Sequence, residues 1–405
     1  SFYMKNKTHV NLIKIIIRIG EIMSSPLKIA IVGIGQRGLQ HLKNLIKLEE
    51  NEMVKIQSLI DPFPDNLLEK NIEMKIPSYS QKNYTLYTNY EEFLKNEDVD
   101  AVWFVIPPNQ HKKEVIKTAD RGISIFAEKP QSLFLNEVKD MAEAIEKNQI
   151  SSIVGFQMRY DPWYRKLNSY LSDKWVASIT MYHGGGVESH GVKYTHTEKM
   201  DGPENRIWTA NKLWSGTSMV EAGIHQTDLM RFWTSDDIKW VQATYTERPK
   251  ELHSVEGDNP IAYHVTYGFK KGGTANLIFT RPANVIFQER FDYILTTHSL
   301  IKFEENLVAY GIKNKDKQSS HKTILTKGPH EEPMGNQNTF EISKSFIESI
   351  VDNNEKLRLN SFQDSINSLA AVLAANVSNS LGGERIEIDE FINSPKFSKY
   401  RTKNS

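Results

Sequence analysis

The sequence predicts an α/β protein in two parts: a doubly wound parallel sheet first, then an α+β domain built on a large, mostly antiparallel open sheet. Two observations carry this. From residue 28 to about 156, short β-branched runs alternate with helix-length stretches, the rhythm of βαβ units. From about residue 176 the pattern changes to longer segments of period two, as in half-buried antiparallel strands. The length of 405 residues fits, since roughly 150 residues per domain gives two to three domains.

The elements follow in order. Residues 10–22 are apolar but interrupted by Lys14 and Arg18, too short and too charged for a membrane helix or a signal peptide. Residues 1–26 are therefore read as an N-terminal extension. KIAIV (28–32) is a buried strand, followed by Gly33-Ile34-Gly35-Gln36-Arg37-Gly38 and a helix to about Leu48. Ile56 to Ile60 is the second strand and ends at Asp61. AVWFVI (101–106), SIFAE (124–128) and SSIVGF (151–156) are further strands, with helices over 110–122 and 134–147 between them. The first domain is set at 27–152 and the second at 153–385. In the second, strands are expected at 176–183, 238–246, 261–269 and 274–280, with the hairpin turn Lys270-Lys271-Gly272-Gly273 joining the last two. Helices are expected over 218–233, 339–352 and 362–381; Ser361 and Asp364 form a capping box for the last, and Gly382-Gly383 stops it. Residues 386–405 are read as a tail.

Composition narrows the function. Fifty basic residues balance fifty acidic ones, so the chain lacks the cationic excess that nucleic acid or an anionic membrane surface demands. There is no cysteine, which removes disulfides, thiolate metal sites and a cysteine nucleophile. A cytoplasmic protein acting on a small molecule is expected.

The glycine motif has a physical logic in its context, after a strand and opening a helix. Gly33 permits the tight turn, Gly35 lets the backbone approach a pyrophosphate, and Gly38 lets helix and strand pack closely. The helix N-terminus then meets phosphates with unpaired N–H groups. Gln36 and Arg37 lie within the same loop. Asp61, ending the second strand, is placed to accept hydrogen bonds from an adenosine ribose and to repel a 2′-phosphate, favouring NAD over NADP; Arg37 keeps NADP open. Pro107, Asn109 and His111 follow one parallel strand and Glu128, Lys129 and Pro130 another, where open α/β sheets bind ligands. Surface turns are the bland alternative for both segments.

In SGTSMVEAGIHQTDLMRFW (215–233), Glu221, His225 and Asp228 recur at i, i+4 and i+7, a polar stripe on an otherwise apolar helix. Such groups need polar partners. A catalytic imidazole oriented by a carboxylate satisfies this, as does a hydrogen-bonded core histidine. The stretch 181–208 contains His183, His190 and His196 at irregular spacing, a poor metal motif, and no metal is expected. Its length suits a substrate lid, and Trp208 there is a candidate to stack on a sugar face.

Taken together, the order G-x-G-x-x-G, acid, P-P-N-x-H, E-K-P, G-F-x-x-R-Y and G-x-H-x-x-D resembles the Gfo/Idh/MocA oxidoreductases, over about residues 27–385. The resemblance implies a Rossmann dinucleotide-binding domain, a second domain whose open sheet forms a homodimer or homotetramer interface, and bound NAD. It implies that Lys129 contacts the reacting hydroxyl and that His225 is the acid/base. Glu221 stands where inositol dehydrogenase-like members have aspartate. The implied reaction is hydride transfer between nicotinamide and a secondary alcohol or ketone carbon of a sugar, polyol or inositol, with Arg159, Tyr160, Asp228 and Trp208 lining the substrate pocket and Gln157 beside them. Alternatives on the same fold are an NAD-dependent glycoside-cleaving enzyme and a non-catalytic nucleotide sensor.

Overall fold

The computed structural model describes residues 25–185, 209, 211–252, 257–282, 287–326 and 334–403. Strand β1 (Leu27–Val32) sits at the centre of a parallel sheet, and Ile29, Ala30 and Ile31 are wholly buried because helices cover both faces. Helix α1 (Gln36–Glu50) follows, then β2 (Val54–Ile60), β3 (Thr85–Tyr87), β4 (Ala101–Phe104), α2 (Glu114–Asp120), β5 (Ser124–Ala127), α3 (Leu135–Lys147) and β6 (Ser152–Val154). The strand order is β3-β2-β1-β4-β5-β6, the doubly wound arrangement predicted. The order reverses between β1 and β4, whose carboxyl ends open the crevice in which such sheets bind ligands. Strand β6 completes this sheet, so the domain extends past the expected boundary at residue 152.

The second domain begins with α4 (Pro162–Leu171), whose first turn is set by Pro162 and by the Asp161 carboxylate accepting from Trp163 N at 2.8 Å. Strand β7 (Val176–Gly185) leads into residues outside the description. Two short helical pieces follow later, α5 (Ser218–Glu221) and α6 (Ile224–Thr234). Then come β8 (Ile238–Thr246), β9 (Ala262–Phe269), β10 (Thr274–Thr280), β11 (Gln288–Thr296), β12 (Leu300–Phe303), β13 (Leu307–Lys313) and β14 (Ser319–Leu325). With β15 (Ile386–Glu387) they form a nine-stranded sheet ordered β14-β13-β12-β11-β7-β10-β9-β8-β15. Only the β7–β10 pair is parallel. Strands β11 to β14 had no sequence counterpart. In β11 apolar Phe291, Tyr293 and Leu295 face outward and Asp292 inward, and β14 is mostly polar, so neither shows the apolar-in, polar-out alternation.

Helix α7 (Met334–Val351) returns to the first domain. It places Ile342, Phe346 and Ile347 in one buried cluster with Leu42, Leu45, Trp103 and Phe126. Helix α8 (Phe362–Ser380) lines the inner face of the large sheet. Ser361 caps it, accepting from Asp364 N at 3.2 Å, and Gly382 and Gly383 turn the chain away at φ +74° and +90°. The segment read as a tail belongs to the fold instead: Ile386 pairs with Val241, and Phe391 and Phe397 are buried. Arg401, also buried, donates to Phe391 O at 2.6 Å and Ser394 O at 2.8 Å.

Candidate active site

The glycine loop joins β1 to α1. Gly33 takes φ +94°, and a Cβ there would lie 2.2 Å from Val105 O; one on Gly38 would lie 1.9 Å from Gly33 O. Neither position tolerates a side chain. A Cβ on Gly35 meets nothing within 4 Å. Gly35 also caps α1 without a side-chain acceptor, leaving first-turn N–H groups to face that open space. The loop therefore fits a pyrophosphate. Gln36 lies exposed beside it.

Asp61 is buried against this loop. Its Oδ2 accepts from Ile34 N at 2.7 Å and Asn66 Nδ2 at 2.9 Å, and its Oδ1 from Phe63 N at 2.9 Å. The carboxylate thus fixes the loop as well as standing at the strand end. Arg37 turns the other way, toward β5. It donates to Glu128 Oε1 at 2.8 Å, Gln157 Oε1 at 2.5 Å, Gln40 Oε1 at 2.8 Å and Thr339 Oγ1 at 2.9 Å. Four of its five N–H donors are thus engaged away from the Asp61 end of the loop, where a 2′-phosphate would sit, which corrects that expectation.

Glu128, expected to touch cofactor, is instead a buried counter-ion. His41 Nε2 lies 2.6 Å from its Oε1, beside Arg37. Burial alone raises a carboxyl pKa, but here Arg37, with His41 and Lys129, outweighs it and holds Glu128 well below the carboxylate range. His41 is pushed down by burial and by Arg37, against the pull of Glu128. His111 is likewise buried, its Nδ1 2.8 Å from Glu114 Oε1 at the start of α2, so it serves that helix start. Pro107 and Asn109 remain at the crevice, and Asn109 Oδ1 has no hydrogen-bond partner among the described residues.

Lys129 crosses to the second domain. Its Nζ donates to the Glu221 carbonyl at 2.7 Å and stands 3.3 Å from Glu221 Oε1, both side chains being largely buried. Helix α5, which carries Glu221, is held by the Thr217 cap and by Ser218 N donating to Tyr263 OH at 3.2 Å. His225 begins the next helix and shares the electrostatic surroundings of Lys129 and Glu221. Burial, then the Lys129 charge, push its imidazole pKa well below the ordinary range; Glu221 opposes them. The ring is neutral at neutral pH, and its Nδ1 is buried with no hydrogen-bond partner among the described residues.

The single polar stripe does not exist. The helix breaks at Ala222 and Gly223, so Glu221 and His225 lie on separate helices, and Asp228 points elsewhere. Asp228 receives Arg159 in a fork, Nε to Oδ2 at 2.8 Å and Nη2 to Oδ1 at 2.7 Å, and accepts from Ser368 Oγ at 2.9 Å. Arg159 also donates to Leu359 O at 2.6 Å and pairs with Asp364 at 3.1 Å. Tyr160 OH accepts from Leu359 N at 2.8 Å. Arg159, Tyr160 and Asp228, expected in the substrate pocket, are therefore a buried brace between β6, α6 and α8. Trp208, His190 and His196 lie outside the described residues.

Two groups escaped the sequence reading. His183 has both ring nitrogens engaged, Nε2 2.9 Å from Asp292 Oδ1 and Nδ1 3.1 Å from Gln226 Nε2, while Arg290 Nε donates to Asp292 Oδ2 at 2.7 Å. The signal was an acid at an inward position of an alternating strand. Among the described residues no cluster of His, Asp or Glu is arranged to hold a metal. The second group is Arg281, just past β10 on its inner face; it was visible only as a cation ending an apolar strand.

A parallel doubly wound sheet thus carries a glycine loop that fits a pyrophosphate, and it faces a Lys–Glu–His cluster. Residues 27–156 match the profile of the Gfo/Idh/MocA oxidoreductase family, NAD-binding Rossmann fold. The chain is 27% identical over 210 residues to scyllo-inositol 2-dehydrogenase (NAD(+)) of Bacillus subtilis, covering 52% of this chain and 54% of that one. It is 24% identical over 266 residues to myo-inositol 2-dehydrogenase of Thermotoga maritima, covering 66% and 72%. The crystal structure of scyllo-inositol dehydrogenase from Lactobacillus casei, with NAD(H) and scyllo-inositol, superposes with a TM-score of 0.67 at 18% identity, over 90% of this chain and 99% of that one. The match to that family covers the first domain, and the likeness to solved structures extends the shared fold over most of the chain. The chain spans about half the length of the scyllo-inositol 2-dehydrogenase it matches.

Proposed function

We propose that the protein is a dehydrogenase of sugars, polyols or inositols, moving a hydride between nicotinamide and a secondary alcohol carbon, with Lys129 and His225 as its polar catalytic pair. The observation that carries this reading is the meeting of Lys129 and Glu221 across the two domains, with His225 in their field. The N-terminus of α1 over Gly35 would hold the pyrophosphate, Asp61 the ribose edge, and Pro107 and Asn109 the nicotinamide side. The nicotinamide, when bound, supplies the hydride acceptor. His225, neutral at rest, takes the hydroxyl proton of the substrate. Lys129 has three N–H donors. Glu221 occupies two of them, and the third is left to bind the substrate oxygen and stabilise its developing negative charge. Glu221 holds the lysine in that direction.

Two further points concern partners. The outer face of β11 exposes Phe291, Tyr293 and Leu295, with Tyr182 of β7 stacked on Phe291 at 5.0 Å. Their exposure supports a homo-oligomer in which a second copy of the chain covers this face. Among the described residues no helix is long and apolar enough to cross a membrane.

The test is substrate-dependent NADH formation across a panel of sugars, inositols and sugar acids, with the Lys129→Met and His225→Ala variants alongside. Each variant is expected to lose about 10²–10⁴ in kcat, the usual share of acid–base assistance, while NADH binding followed by fluorescence persists. Oxidation needs the neutral imidazole, so its rate rises with pH through the His225 pKa and is flat above it. Because that pKa is depressed, the plateau extends below neutrality, and the acid limb vanishes in His225→Ala. NADH affinity collapsing along with turnover would reassign both residues to structure. Sugar release from glycosides without NADH accumulation would favour the glycoside-cleaving reading.

A further inference from the structure

The inner face of the large sheet carries a cation that the hydride-transfer reading leaves without a task. Along β10, Ala275, Leu277 and Phe279 point inward and are buried, and Arg281 is the next inward position. Thr280 pairs with Gly184 of β7, so Arg281 follows directly on the end of that ladder. Its guanidinium lies 5.8 Å from the centroid of the Phe279 ring. Phe279 faces Tyr263 across the β9–β10 ladder, and Tyr263 OH accepts from Ser218 N at the start of α5, the helix that ends in Glu221. Arg281 is thus one inward step from the strand residues on which the catalytic helix rests. Burial lowers its pKa, and the nearby Glu221 charge opposes that fall. Yet no hydrogen bond or ion pair joins its guanidinium to any described residue.

Among the described residues, Arg281 is the cation near the site without an ion-pair partner. Arg37 is matched by Glu128, His41 and His225 are neutral, and Lys129 already sits on Glu221. Arg281 is half-buried and its N–H donors find no hydrogen-bond partner among the described residues, so their planar fork is open to a carboxylate in two parallel hydrogen bonds. We propose that Arg281 selects the substrate: the protein oxidises sugars or polyols that carry a carboxylate, such as uronates or aldonates, with the acid group seated on Arg281 and the reacting hydroxyl on Lys129. This rests on the dehydrogenase reading above and narrows its substrate class. A neutral inositol or hexose in the same place covers the cation without matching its charge, whereas a carboxylate satisfies it.

The experiment compares matched pairs, D-galacturonate with D-galactose and D-glucuronate with D-glucose, together with myo-inositol, on the full chain with NAD. Both NADH formation and thermal stabilisation of the NADH-loaded protein are read. The expected result is a kcat/KM for the acids on the order of 10²-fold above their neutral partners, the size of one desolvated charge pair. Arg281→Gln collapses that ratio chiefly through KM, and Arg281→Lys, which keeps the charge but not the fork, recovers part of it. Neutral sugars or inositols used as well as the acids, or a ratio unchanged in Arg281→Gln, overturn the proposal. The wild-type ratio stands even if a variant fails to fold. If no compound yields NADH, the dehydrogenase reading has failed by itself. Stabilisation by the acids alone, lost in Arg281→Gln, would still support the carboxylate site, and its absence would sink it.

Discussion

The three glycines of one loop carry opposite consequences, and the distances say which. A Cβ at Gly38 would sit 1.9 Å from a backbone oxygen that cannot yield, whereas one at Gly35 enters open space. Gly38→Ala is therefore expected to destabilise the fold, lowering the thermal midpoint with or without NADH. Gly35→Ala is expected to leave the apo midpoint within about 1 °C of wild type, because an unstrained surface substitution stays within roughly 0.5 kcal/mol. It should weaken NADH binding by an order of magnitude or so, about 1.4 kcal/mol. Equal loss of apo stability in both variants would refute the division. These roles were legible in the sequence because a glycine motif between a strand and a helix has few physical solutions. Arg37 was not legible. Its four acceptors come from α1, β5 and segments as distant as residue 339, and nothing local announces them.

At the scale of elements, the segment 218–234 shows how a correct period can mislead. Glu221, His225 and Asp228 have helical spacing, yet two residues of turn between α5 and α6 send them to different places. The first pair reaches the site, and Asp228 binds Arg159. The sequence held the residues but not the break, because Ala222 and Gly223 are no stronger an interruption than many helices tolerate. The Arg159–Asp228 pair joins β6, α6 and α8 in the interior, and removing one partner strands a buried charge. Asp228→Asn is expected to cost about 3–5 kcal/mol in chemical denaturation. KM should change little where the folded fraction is held constant. A large KM effect at full stability would return Asp228 to the substrate pocket. The strands after β10 escaped for a different reason: β11 puts apolar residues outward and an acid inward, and in β14 hardly any residue is apolar.

For the molecule as a whole, the fold class was readable because two distinct periodicities occupy two distinct stretches of chain. The closure of the first domain was not. Its second core cluster is completed by Ile342, Phe346 and Ile347 of α7, the Phe346 ring meeting Trp103 edge-on at 5.5 Å. No local pattern tells a late amphipathic helix which domain it will cover. Phe346→Ala is expected to cost about 3–5 kcal/mol, the usual range for a fully buried ring. The same helix bears Thr339, which bonds to Arg37, so NADH affinity should fall along with stability. Normal cofactor affinity in a destabilised Phe346→Ala protein would uncouple the two.

That returning helix also bears on synthesis. The ribosome emits the nucleotide-binding half first, with the flank of Trp103 and Phe126 uncovered until α7 emerges. During that interval the nascent chain presents an apolar groove of the kind that holdase chaperones occupy. A fragment ending near residue 156 is thus expected to be sticky and short-lived, although its sheet is complete.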